Sequence, residues 1–238
     1  MRRRLGLLLL LVACQGCIVY EYEHEFWLGV DGSGSVNVTG RPALWTAFKG
    51  LERPDDPEAT REAARQLFER SGLRVRRVTL TRRRGQPYLF VAADFEAVNR
   101  LSETPAFRDL SIGLRPEAER LVLEGRWMRP GSAPSLASGD QEGLMAVRFH
   151  LPSKVYGHKN AFGGVERGNI VGWRQDVRQA LAGGALEFGA TLDRRSILGT
   201  TVTLFAGAIA VALAILAGTL YLVFRKGRRQ IGAAGRES

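Results

Sequence analysis

The chain holds two cysteines, three histidines and four lysines among 238 residues, and each shortage closes off a class of function. Cys14 and Cys17 lie near the N-terminus and no cysteine follows, so neither a disulfide framework nor thiol catalysis is open to the later chain. His24 stands alone, and His150 and His158 are eight apart across Pro152, a spacing that matches no compact metal motif. No serine sits in a Gly-x-Ser-x-Gly context, which removes the nucleophile elbow of serine hydrolases. The expectation is a protein that is not an enzyme and carries no metal and no cofactor. Charge, finally, is missing altogether from Ser196 to Phe224, a run of 29 residues.

That run exceeds the roughly 20 residues that span a hydrocarbon core at about 1.5 Å per residue. A domain of this size needs no core helix so long, so a transmembrane helix is expected over 196–224. Arg194 and Arg195 precede it, while Arg225, Lys226, Arg228 and Arg229 follow. The heavier positive flank predicts a cytoplasmic tail over 225–238. Within the span Ala206, Ala210, Ala214 and Gly218 recur every fourth residue. They form a small-residue ridge on which another membrane protein's helix could pack, although a merely alanine-rich helix gives the same pattern.

The opposite end has the parts of an export signal. Arg2, Arg3 and Arg4 make a positive region, and Leu5 to Val12 make an apolar stretch too short to span a bilayer. Leu11-Val12-Ala13-Cys14 resembles a bacterial lipobox, which implies a signal peptide over 1–13 and a lipidated N-terminus over 14–17, with the lipid on Cys14. An ordinary cleaved signal and an uncleaved anchor are the alternatives. Cys17 is the poorer acceptor, because Gln15 occupies the aliphatic position of its box. Signal and span agree on topology: a single-pass protein of the bacterial cytoplasmic (inner) membrane with residues 18–195 outside and the C-terminus inside.

The formal charge is +10. Arg2, Arg3 and Arg4 carry three of these charges and the C-terminal tail a net four, which leaves three for the middle, an ordinary value for a soluble domain. Basicity here marks membrane topology, and nucleic acid is not an expected partner.

Residues 18–195 read as one α+β domain, an antiparallel sheet of hairpins with a few short helices. Ile18 to Val30 alternate, with Tyr20, Tyr22, His24, Phe26, Leu28 and Val30 on the buried face and Glu21, Glu23 and Glu25 on a solvated one. Asp31 to Gly34 turn the chain into a partner strand over 35–39. Helices are expected over 42–49, with proline in the first turn, and over 57–70, capped by Asp56. A second hairpin joins 73–81 to 88–95, followed by a short helix over 96–103. Further strands are expected at 107–114, 120–128, 144–151, 169–174 and 185–192, with a helical turn at 177–181. Residues 130–140 and 154–168 are expected to be loops rich in glycine. Trp127 and Trp173 belong to the core.

Arginines crowd the second hairpin: Arg74, Arg76, Arg77, Arg82, Arg83 and Arg84. Next to a bilayer each basic residue close to anionic headgroups contributes about 1 kcal/mol. Arg82, Arg83 and Arg84 at the turn are therefore the candidate contact with anionic membrane lipid, against the plain alternative of a solvated turn.

The layout resembles the LppM-like bacterial lipoprotein family in its lipidatable cysteine, its early strand and turn at Val30-Asp31-Gly32-Ser33-Gly34, its late strand from Asn169 to Trp173, and its single span with a basic tail. Ala13 departs from the glycine usual before the lipobox cysteine. The resemblance implies an extracytoplasmic α+β domain associated with envelope lipids and transfers no functional residue beyond Cys14. The expectation is a doubly anchored envelope protein binding lipid or a lipid-linked ligand; the alternative is an accessory subunit docking a membrane complex.

Overall fold

A computed structural model describes residues 20–52, 56–131, 136 and 138–234. The chain divides into two units, residues 1–194 and 195–238. The expected signal and lipidation segment, with Cys14 and Cys17, lies outside the described residues.

Period-two alternation sets the first hairpin. β1 (Tyr22–Leu28) buries every second residue, and Asp31 accepts from the Ser33 amide at 3.1 Å to shape the turn into β2 (Gly34–Gly40). α1 (Pro42–Lys49) begins with proline and ends at Gly50, whose left-handed φ of 64° favours glycine. α2 (Pro57–Arg70) is capped by the Asp56 carboxylate, which accepts from the amides of Glu58 and Ala59 and satisfies two donors that a helix start leaves free. β3 (Arg74–Arg83) and β4 (Gln86–Phe95) meet at a two-residue turn, Arg84-Gly85, with φ of 51° and 81°.

After two 3-10 turns (Val98–Glu103 and Pro105–Phe107) come β5 (Leu110–Glu117) and β6 (Arg120–Trp127). β7 (Leu144–His150), β8 (Val155–Lys159), β9 (Val165–Glu166) and β10 (Ile170–Asp176) follow, then α3 (Val177–Leu181) and β11 (Leu186–Asp193). The strands form a seven-stranded sheet, β3-β4-β2-β1-β7-β10-β9, and a four-stranded sheet, β5-β6-β11-β8.

The α+β class and the antiparallel hairpins are as the sequence indicates, with two departures. There are two sheets instead of one. At the centre of the larger one β1 and β7 run parallel, Tyr22 opposite Met145 and Phe26 opposite Phe149. The excursion of more than a hundred residues between them supplies the long crossover that parallel pairing needs. The stretch 154–168, expected as loop, contributes β8 and β9: Gly163, Gly164 and Gly168 lie between and after the strands, Gly157 is within β8, and Val155 and Val165 pack on the core.

One continuous core fills the space between the sheets and under α1 and α2. Trp127 stands edge-on to Phe48 at 4.5 Å, and Phe188 packs against Phe149 and Trp173 at 5.4 and 5.6 Å. Such ring contacts add about 0.5–1.5 kcal/mol each beyond burial.

The second unit is α4 (Ile197–Ala234), in which Thr201–Leu222 is long and apolar enough to cross a membrane. Thr203 and Thr219 donate to the carbonyls of Gly199 and Ile215, four residues earlier, so their hydroxyls are satisfied within the helix.

Candidate functional site

Because β1 sends Tyr22, His24, Phe26 and Leu28 inward, Glu23, Glu25 and Trp27 stand on the outer face of the seven-stranded sheet. Strand register carries that face outward in rows. One runs Arg77, Ala92, Asn37, Glu25, Arg148; the next runs Arg74, Asp94, Ser35, Trp27, His150.

The glutamates are not the bare solvated face that alternation suggests. Arg41 approaches Glu21 at 3.1 Å, and the Tyr88 hydroxyl donates to the same carboxylate. Arg148 stands 3.8 Å from both Glu23 and Glu25, and His150 meets Glu25 through Nε2 at 2.8 Å. The partners come from β7 and from the entry to α1, far off in sequence, so a period-two reading of β1 alone misses them. Burial lifts the Glu23 carboxyl above its ordinary value; Arg148 draws it back and Glu25 pushes it further up.

Beside this ladder lies a groove of about 500 Å³, lined by Trp27, Ser35, Asn37, Arg76, Arg77, Phe90 and Ala92. Its floor is built of short side chains on β2 and β4. One wall is Trp27, whose ring is backed by His150, stacked at 4.6 Å with 15° between planes. The other is β3, three strand spacings away, or about 14 Å at about 4.8 Å per strand. The register of β3 slips between Val75 and Arg77, a bulge that adds one residue to the edge strand. Arg74 and Arg76 both reach Asp94, at 2.7 and 3.0 Å, while Arg77 lies over the Phe90 ring at 4.9 Å. Two guanidinium groups thus share one carboxylate, and a third, that of Arg77, stands beside them over a ring. With an indole, a phenyl ring, an amide and a hydroxyl nearby, the groove is suited to an anionic group attached to an apolar or ring-bearing body.

The three arginines singled out from the sequence all lie at this hairpin's far end. Arg82 and Arg83 close β3, Arg84 is in the turn, and all are exposed; Arg83 stacks over Tyr88 at 5.1 Å. The residues that sequence reasoning left out of the site are Trp27, Asn37 and Phe90. Alternation in β4 places Phe90, Ala92 and Asp94 on one face and could have paired them with β3's arginines, but nothing local joins Trp27 to them. Ala206, Ala210, Ala214 and Gly218 are exposed along α4.

The three histidines are dispersed: His24 in the core, His150 on Glu25, and His158 accepting the Ala161 amide at 3.3 Å. Among the described residues no group of three or more His, Cys, Asp or Glu side chains is placed to hold a metal ion. Ser35 and His150 flank Trp27 on opposite sides, about 10 Å apart by strand spacing, too far for a serine–histidine pair. A second hollow of about 460 Å³, on the outer face of the four-stranded sheet, is bordered by Lys159 paired with Glu187 and by Glu124 paired with Arg115. Its charges are balanced, unlike those of the first groove.

No family model and no curated protein matches this chain. Among solved structures it is similar to the NMR structure of the folded domain of the Mycobacterium tuberculosis LppM protein. The identity is 16%, the match covers 78% of this chain and 97% of that one, and the TM-score is 0.38. A likeness of that depth does not establish membership of a family.

Proposed function

We propose that this chain is a non-enzymatic, doubly membrane-anchored protein of the bacterial envelope whose domain over 18–195 binds an anionic lipid or lipid-linked ligand. The observation that carries this reading is the groove, where Arg76 and Arg77 face the Trp27 ring, the carboxylate of Asp94 pairs with Arg74 and Arg76, and Arg77 adds a further cation over Phe90. A headgroup phosphate would complete that charge balance, and Trp27 and Phe90 would cover the adjoining glycerol or sugar. Arg82, Arg83 and Arg84 would add long-range attraction toward an anionic surface without fixing the ligand. Thr201–Leu222 would serve as the transmembrane anchor and acylated Cys14 as the other, in the inner membrane with the tail in the cytoplasm.

The test holds the full chain in nanodiscs of phosphatidylcholine and adds monomeric dihexanoylphosphatidylglycerol. Saturable protection of amides over 74–94 from hydrogen exchange is the expected result. An equal response to dihexanoylphosphatidylcholine, or none to either, would overturn the reading. Intact mass of the protein from native membranes tests the anchor separately: cleavage before Cys14 with a diacylglycerol adduct is expected.

A further inference from the structure

On the other face of β1, the core holds ionisable groups that the groove does not use. His24 is fully buried, and neither ring nitrogen has a hydrogen-bond partner among the described residues. Its ring stands edge-on to Tyr22 at 5.2 Å and lies obliquely to Phe26 and Phe107 at 6.1 and 5.9 Å. The cross-strand neighbours, Val38 on β2 and Val147 on β7, are apolar. The charged group that acts on it is Lys49, at the end of α1, whose own partner is Asp109, just before β5.

Those two are already committed to each other. Lys49 Nζ lies 3.1 Å from Asp109 Oδ1 and also donates to the Ala106 carbonyl, while Trp127 Nε1 donates to Asp109 Oδ2 at 3.1 Å. The Tyr22 hydroxyl and Trp45 Nε1 are, like His24, buried without a partner. A proton added to His24 would therefore create a second cation beside Lys49, with two N–H donors and, among the described residues, no acceptor within hydrogen-bonding distance of either. A phenyl or isobutyl group would fill the same space with no unmet polar atom, so packing alone gives no reason for imidazole here.

We propose that His24 is a proton-operated release for this part of the core: neutral, it lets α1 and the 105–110 segment close over β1, and protonated, it opens them. The proton comes from solvent and is returned on closing, so no other reactant is needed. Burial, with the Lys49 charge second, holds the His24 ring well below its ordinary value near 6.5. Above that value the ring is neutral whether the core is open or closed, and closure carries no proton penalty. Below it the open form binds a proton that the closed form refuses, so the opening equilibrium rises by up to tenfold per pH unit.

This inference is independent of the groove. The experiment follows amide exchange over 42–49 and 105–110 in the full chain in detergent micelles, from about pH 7.5 to about pH 5, corrected for the intrinsic pH dependence of exchange. Opening should rise toward tenfold per unit below about pH 6.5 in the wild type, and His150→Gln and His158→Gln should keep that slope. His24→Phe or His24→Leu should flatten it. A flat wild-type profile, or an undiminished slope in both His24 variants, would overturn the proposal. Should neither variant fold, ring resonances of labelled wild-type histidines decide. His24 remaining neutral until its neighbours exchange supports the proposal, and His24 titrating normally in the closed fold overturns it.

Discussion

Lys49 and Asp109 meet inside the core, Nζ to Oδ1 at 3.1 Å, with neither side chain exposed. Burial pushes the Lys49 ammonium below and the Asp109 carboxyl above their ordinary values, and in each case the partner's opposing pull is the smaller effect. A buried ion pair of this kind must offset a large cost of leaving water. Removing one partner strands the other, so Lys49→Met or Asp109→Leu alone should cost about 3–5 kcal/mol, while the double variant should regain most of that loss. Urea unfolding of the full chain in detergent measures all three. A double variant as weak as the sum of the singles would show that the bonds to Ala106 and Trp127 outweigh the desolvation of the pair.

Gly125 and Gly157 predict opposite responses to the same added methyl. On β6, a β-carbon at Gly125 would lie 2.4 Å from the Phe188 ring and 2.5 Å from the Ser111 carbonyl, where neither the closely packed ring nor the backbone can move away. At Gly157 on β8 it would meet nothing within 4 Å. Gly125→Ala should destabilise the domain by about 1–3 kcal/mol and Gly157→Ala by less than about 0.5 kcal/mol. Equal melting temperatures for the two variants would contradict the packing between the sheets described above.

Much of this fold was legible because its signals are local. Pro42 and Gly50 bracket α1, Asp56 caps α2, and the alternation of Tyr22, His24, Phe26 and Leu28 marks β1's inner face. What was not legible depends on residues far apart in sequence. Nothing near Glu25 announces Arg148 and His150, because parallel pairing of β1 with β7 is decided by the packing of two hairpin systems against a shared core. Lys49 sits in a last helical turn, where a basic residue is ordinary; its partner in the core is Asp109, sixty residues on. The groove was half visible. Its arginines stand out in sequence, whereas Trp27 joins them only through the order β3-β4-β2-β1.

Tyr88 gives a measurable mark of how closed the contact with Glu21, just before β1, is. Its hydroxyl donates to Glu21, and burial, that hydrogen bond and the Glu21 charge together push the phenol from 10 up to about 12. The folded value lies above the unfolded one, so this group's contribution is present below about pH 10 and is lost as pH rises from about 10 through about 12. A ring-carbon NMR titration should find Tyr88 ionising near 12, well above the ordinary value of 10, and Glu21→Gln should bring it earlier. Ionisation of Tyr88 near 10 in the wild type would mean the contact is open in solution.

Asp94 and Arg77 should move ligand binding in opposite directions. Asp94 occupies Arg74 and Arg76, so Asp94→Asn removes the negative charge that competes with an incoming anion. Arg77→Gln removes a cation held over Phe90 without breaking an ion pair described for that side chain. On the scale of about 1 kcal/mol for a charge beside an anionic headgroup, Asp94→Asn should tighten dihexanoylphosphatidylglycerol binding about fivefold and Arg77→Gln should weaken it by a similar factor. Both effects should shrink in high salt, since they are electrostatic and the groove is open to solvent. If both variants weaken binding alike, the arginines act by supporting β3, and the ligand contacts lie elsewhere on the sheet. If neither changes it while Arg83→Gln does, the hairpin turn makes the contact and the groove does not.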